Sequence, residues 1–153
     1  KKHAGTMLIA PFDIQAEARG MRRLVNASEA LGKYQGLVAG VRSSWAERNR
    51  DTVVGYIRGY VQGVEWLYDP ANRAEALAIF RKNLPNASPQ QAETSYGALL
   101  GAKEGFQRRG QIDLEGVKTV LAMRSKWSTE KRALTDISKY YDPQYYNAAM
   151  SGR

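Results

Sequence analysis

The stretch from Tyr34 to Tyr68 constrains the fold more than any other part of the chain. It opens on an apolar run, Tyr34-Gln-Gly-Leu-Val-Ala-Gly-Val-Arg42, and passes through Ser43-Ser-Trp-Ala-Glu-Arg-Asn49. A long helical pattern then runs to Leu67-Tyr68-Asp69-Pro70. Val53, Ile57, Tyr60, Val61, Val64 and Leu67 fall on one stripe at helical spacing. Gly55, Gly59 and Gly63 repeat at every fourth position on a neighbouring stripe. In a membrane that repeat suggests helix pairing, but Arg58, Gln62 and Glu65 do not suit lipid. Each helical glycine costs up to about 1 kcal/mol relative to alanine, so the expected reason for them is a helix or strand held close. A buried strand, a short linking helix and a long packing helix, in that order, predict a helix-rich α/β fold.

The rest of the chain adds elements of both kinds. Thr6 to Ala10 reads as a short buried strand stopped by Pro11, Arg22 to Val25 as a second and Leu37 to Val41 as a third. Phe12 to Arg19 has a helical pattern that Gly20 closes. Asp69-Pro70 stops one helix and starts the next, Arg73 to Asn83, with Leu77, Phe80 and Leu84 facing inward. Ser88-Pro-Gln-Gln91 carries a capping box, with serine at the cap and glutamine three residues on; the helix it opens ends at Gly101. Gly105 to Gly110 reads as a loop. Asp113 caps a helix with Leu114, Val117, Val120 and Leu121 as its core stripe. The segment from Tyr140 to Tyr146 is a turn leading to a short terminal helix. A few short strands and about five or six helices are expected in all.

The 153 residues are enough for one domain with its own core, and 43% hydrophobic with 25% charged residues is ordinary for a globular chain. The formal net charge of +8 favours anionic partners: a small anion, nucleic acid or an anionic membrane surface. There are no cysteines, which excludes disulfides, thiolate metal sites and a cysteine nucleophile and suits an oxidising compartment. The chain opens Lys1-Lys2-His3 and within a few residues enters an apolar run, so a fragment of something larger is expected.

Catalytic options are thin. His3 is the one histidine and stands near the end of the chain, so no histidine-based triad or metal cluster is expected. The carboxylates are spread singly, with Asp69 and Asp113 as helix caps. Gly101, Gly105 and Gly110 do not match a phosphate-cradling spacing. Nine tyrosines and three tryptophans beside a basic charge raise a nucleic-acid reading, but Tyr56, Tyr60, Trp66, Phe80 and Tyr96 sit at core spacing on helices. For a small ligand, two places have the right character, because α/β folds hold ligands where strands end and helices begin. One is Pro11 with Phe12; the other is Tyr34, Gln35 and Gly36. The two rings could wall a ligand and Gln35 could hydrogen-bond it. Phe12 stapling its helix and Tyr34 merely packing is an equally open reading.

An ordered set of segments resembles the substrate-binding proteins of ABC importers for nitrate, sulfonates, taurine and thiamine-pyrimidine precursors. It comprises Met7-Leu-Ile-Ala-Pro-Phe-Asp-Ile through Gly20-Met-Arg-Arg-Leu24, the Tyr34 to Arg42 run, Ser44-Trp-Ala-Glu-Arg-Asn49 and the long helix to Asp69-Pro-Ala-Asn72. Gly105-Phe106, Gly110-Gln-Ile-Asp-Leu-Glu-Gly-Val-Lys-Thr-Val-Leu121 and the Asp142-Pro143 and Tyr145-Tyr146 ending complete it. The resemblance implies the C-terminal portion of a two-lobed type II periplasmic binding fold. Residues 1–33 would be the remnant of the second lobe with its hinge, and 34–153 the crossing strand and C-terminal helices of the first. It implies a non-enzymatic, periplasmic solute-binding component that closes on a small organic solute, anionic ones included, and delivers it to a membrane permease.

In that reading Pro11, Phe12, Tyr34, Gln35 and Gly36 line the cleft, with no cofactor, no metal and no nucleic acid. A homodimer through surface left by a missing lobe is among the expected partners. Gln35, Gly36 and Leu37 stand where some amine-bearing sulfonate binders carry an acidic residue, which disfavours a taurine-like ligand. Two other functions compete: a basic helical module that binds nucleic acid by charge, and an enzyme of the thiamine-pyrimidine biosynthetic branch. That branch uses an active-site histidine, for which the chain has no good counterpart.

Overall fold

The computed structural model describes residues 4–102, 105–130 and 132–151. His3 lies outside the described residues. Helix accounts for 59% of the structure and strand for none. The α-helices are α1 (Phe12–Ala18), α2 (Ala27–Leu31), α3 (Ser43–Arg48), α4 (Arg50–Tyr68), α5 (Arg73–Asn83), α6 (Pro89–Leu99), α7 (Leu114–Trp127) and α8 (Gln144–Met150). Short 3-10 turns cover Pro70–Asn72 and Ile137–Lys139. Among the described residues no helix is long and apolar enough to cross a membrane.

The chain divides into two compact units, and α4 contributes to both. The first unit comprises residues 1–26 and 66–106, and the second 27–65 and 107–153.

In the first unit α6 packs against both α1 and α5. Its buried side chains are small: Ala16, Ala76, Ala87, Ala92 and Ser95. Small residues allow helices to approach closely but bury little apolar area each. The Ser95 hydroxyl is fully buried and donates to Gln91 O at 2.7 Å, within its own helix, so its burial leaves no unmet donor. Helix α1 ends as its sequence promises. Gly20 takes φ +84°, its N–H reaches Glu17 O, and Met21 N–H reaches Ala16 O, which together close the last turn. Helix α6 starts on the full capping box: Ser88 Oγ accepts from Gln91 N–H, and the Gln91 side chain accepts from Ser88 N–H.

Tyrosines then tie the helix ends together. Tyr96 Oη donates to Leu67 O at 2.8 Å, in the final turn of α4. Tyr68 Oη donates to Phe106 O at 2.7 Å, and Phe106 N–H itself takes Leu99 O at the end of α6. Asn72 Nδ2 donates to Trp66 O at 3.0 Å. Arg73 pairs with Glu93 and lies 5.8 Å from the Tyr96 ring centre, joining α5 to α6 on the outside.

The second unit buries Ala46, Val61, Val64, Leu121 and Ala149. Here α7 packs on the Ile137–Lys139 turn. Arg58 Nε donates to Ala149 O at 3.2 Å, near the end of α8. At the start of α8, Arg50 Nη1 donates to Gln144 Oε1 at 2.8 Å, and its guanidinium lies over the Tyr145 ring. Gly110 takes φ +63°, and a Cβ there would come 3.1 Å from the Tyr60 ring and 3.2 Å from Val61. Only glycine meets both conditions.

The expectation of an α/β fold, the C-terminal portion of a type II periplasmic binding fold with a few short strands, is overturned: the described residues are all-helical with no sheet. Thr6 to Ala10, Arg22 to Val25 and Leu37 to Val41 lie outside any helix or strand. Met7, Leu24 and Leu37 are 78%, 79% and 73% exposed. Their residue types favour a pleated surface, but a strand is stabilised by lateral neighbours and cross-strand side-chain pairs. No strand among the described residues pairs with these runs.

Four smaller expectations also shift. Leu77, Phe80 and Leu84 are half-buried, and alanine holds the centre of α5 at Ala76. On α7, Leu114 is exposed while Gly116 and Leu121 are buried. Tyr56 faces solvent, and Tyr60 is only partly covered, with its ring against Gly110. Nor do the α4 glycines touch a close neighbour: a Cβ at Gly55, Gly59 or Gly63 would meet open space.

That geometry separates the glycines by outcome. Gly55→Ala, Gly59→Ala and Gly63→Ala should each raise stability by about 0.5–1 kcal/mol in urea unfolding, the ordinary helix-propensity gain. Gly110→Ala should lower it by about 1–3 kcal/mol through its left-handed backbone and contact with Tyr60. Losses of equal size at all four positions would show that the α4 face is covered in solution.

Candidate functional site

The residues singled out by sequence fall in two places. Pro11 and Phe12 belong to the first unit, and Tyr34, Gln35 and Gly36 to the second.

At the first place the Ala10–Pro11 peptide is cis, and α1 begins at Phe12. Ile9 O receives Phe12 N–H at 2.8 Å, and Pro11 O receives Gln15 N–H at 3.1 Å, which anchors the turn to the helix. Phe12 is 54% exposed, so it does not staple its helix from within. In the same unit a cluster of charges closes on Arg23. The guanidinium donates to Glu17 at 2.9 Å through both Nε and Nη2, to Asp13 Oδ2 at 3.1 Å and to Asn26 Oδ1 at 2.9 Å. The hydrogen bonds from Arg23 hold the Glu17 carboxyl below its ordinary range. Glu17, first, and then Asp13 push the Arg23 pKa upward. Asp13 Oδ1 is buried and has no hydrogen-bond partner among the described residues.

At the second place the loop is bound to the start of α7. Asp113 caps that helix, its Oδ1 accepting from Glu115 N–H at 3.0 Å and from Gly116 N–H at 3.4 Å. The Asp113 N–H in turn donates to Gln35 Oε1 at 3.1 Å, while Gln35 Nε2 donates to Leu37 O at 2.8 Å. Lys33 Nζ lies 3.5 Å from Asp113 Oδ2. A Cβ on Gly116 would come 2.7 Å from Gln35 N and 3.1 Å from Tyr34 C, so the loop backbone lies directly on the helix. Gln35 is thus a connector between loop and helix rather than a side chain held open for a ligand. Tyr34 stays 39% exposed and lies over Gly36, where a Cβ would meet the ring at 3.4 Å.

One further concavity lies in the second unit. An open cleft of about 450 Å³ separates α7, at Lys118, Leu121, Ala122 and Ser125, from Leu134 and Thr135. Its wall is mainly apolar, and two of its polar groups are already engaged. Ser125 Oγ donates to Leu121 O and accepts from Leu134 N–H, each at 2.8 Å, and Lys118 Nζ pairs with Glu115 at 2.6 Å. Among the described residues no group of three His, Cys, Asp or Glu side chains gathers where it could hold a metal ion.

No family model, curated protein or solved structure matches this chain.

The arrangement offers exposed aromatic faces at Phe12 and Tyr34, each on a turn fixed by backbone hydrogen bonds or close packing. Such faces can stack on a planar or apolar group. The bond between Gln35 and Asp113 has no local sign in the sequence, because the two stand 78 residues apart. The signal that was present is Gly116 in the first turn after a capping aspartate. A helix propensity loss there implies a backbone laid close against it.

Gln35→Ala should cost about 1–2 kcal/mol in urea unfolding, because the Asp113 N–H loses its acceptor. Unchanged stability would return Gln35 to a ligand-contact role. A second expectation concerns pH. The carboxyls of Glu17, Asp136 and Asp142 are held low, by hydrogen bonds first from Arg23, from Ser138 and from Gln144 respectively. Their contribution is full above the ordinary carboxylate values and is lost as pH falls through the depressed ones. Tyr60 and Tyr141 are pushed up chiefly by burial, so their contribution is full below the ordinary phenol value and is lost as pH rises through the raised ones. The urea midpoint should therefore be flat between about pH 5 and 9 and fall on both sides. A midpoint that rises below pH 4 would contradict these contacts.

Proposed function

We propose that this chain acts in the solute-binding component of an ABC importer, taking up a small organic solute. The observation that carries the reading is the ordered series of segments resembling that family, from Met7-Leu-Ile-Ala-Pro-Phe to the Tyr145-Tyr146 ending. Its helical members coincide with helices of the structure. Ser44 to Arg48 falls in α3, the long pattern in α4, the restart at Pro70 in a 3-10 turn, and the Asp113-capped segment in α7. Support also comes from Phe12 and Tyr34, whose exposed rings stand on fixed turns at the two places the family uses for ligand contacts. The basic charge of +8 favours anionic solutes within that class. Gln35 drops out of the ligand-contact set in this reading, because both ends of its amide are engaged. Phe12, Tyr34 and the neighbouring backbone remain.

The test is a thermal-shift screen against nitrate, taurine, alkanesulfonates and pyrimidine precursors. A ligand present at about 100 times its Kd stabilises by roughly 2.7 kcal/mol, enough to raise Tm by several degrees. Phe12→Ala and Tyr34→Ala are made singly: removing whichever ring contacts the solute should abolish that shift while leaving the unliganded Tm within about 2 °C of the parent, since neither ring is buried. Absence of a shift with every solute would overturn the proposal.

A further inference from the structure

We draw no further inference here: the strongest candidate, the solvent-facing stripe of Gly55, Gly59 and Gly63 on α4 with Tyr56 and Tyr60 beside it, is an unpartnered face, and nothing in the structure shows what covers it.

Discussion

A helix leaves its last carbonyls without intrahelical partners, and in a chain of short helices those orphan groups are numerous. This structure closes most of them with backbone turns and adds, at several ends, side chains borrowed from elsewhere in the same unit. Tyr96 takes Leu67 O at the end of α4, Asn72 takes Trp66 O one residue earlier, and Arg58 takes Ala149 O near the end of α8. Tyr68 works one step removed, holding Phe106 so that its N–H can close Leu99 O. Those of Tyr96, Tyr68 and Arg58 join segments far apart in sequence, so they fix tertiary placement while they satisfy the backbone. Where the buried side chains are mostly alanine, directional contacts of this kind carry much of the specification that large apolar residues would otherwise supply.

The start of α7 shows the same economy at the opposite kind of terminus. Asp113 satisfies two of the free N–H groups with its side chain, then passes its own N–H to Gln35. Gly116 lets the 34–35 backbone settle against the first turn, so one short loop is positioned by a cap, an amide and a missing methyl. Tyr34 owes its location to this arrangement. The aromatic face proposed for ligand contact is therefore held by residues of α7 that need not touch a ligand.

Helices were the legible part of the sequence because their signals are local. The bounds of α5 follow from the Pro70 restart and the apolar spacing up to Asn83. The starts of α6 and α7 follow from Ser88 with Gln91 and from Asp113. The short helix α2 carried no comparable signal and went unanticipated. Strands failed for the opposite reason. Met7-Leu-Ile, Arg22 to Val25 and Leu37 to Val41 have the composition of strands, but a strand's existence depends on its neighbours, which a composition cannot contain. Burial was misjudged on similar grounds. Helical periodicity correctly set Val61 and Val64 inside, yet it also put Tyr60 on that stripe, and Tyr60 instead borders Gly110 with part of its ring in solvent. At the candidate site, the bond between Gln35 and Asp113 was not legible, since hydrogen bonds across 78 residues leave no local trace.

The alanine-built interior has a consequence for how this chain tolerates change. In most globular proteins the large apolar residues are the intolerant positions and alanines the forgiving ones. Here alanines stand among the intolerant positions too. Ala92 and Ala149 are 1% exposed and Ala46 is 2% exposed, each at a place where added volume has nowhere to go. Leu24, Leu37 and Trp127, among the bulkiest apolar side chains, stand mostly in water, where polar replacements displace no packing. These alanines are thus as little free to gain volume as Val61 is, and hydrophobic size alone is a poor guide to importance along this sequence.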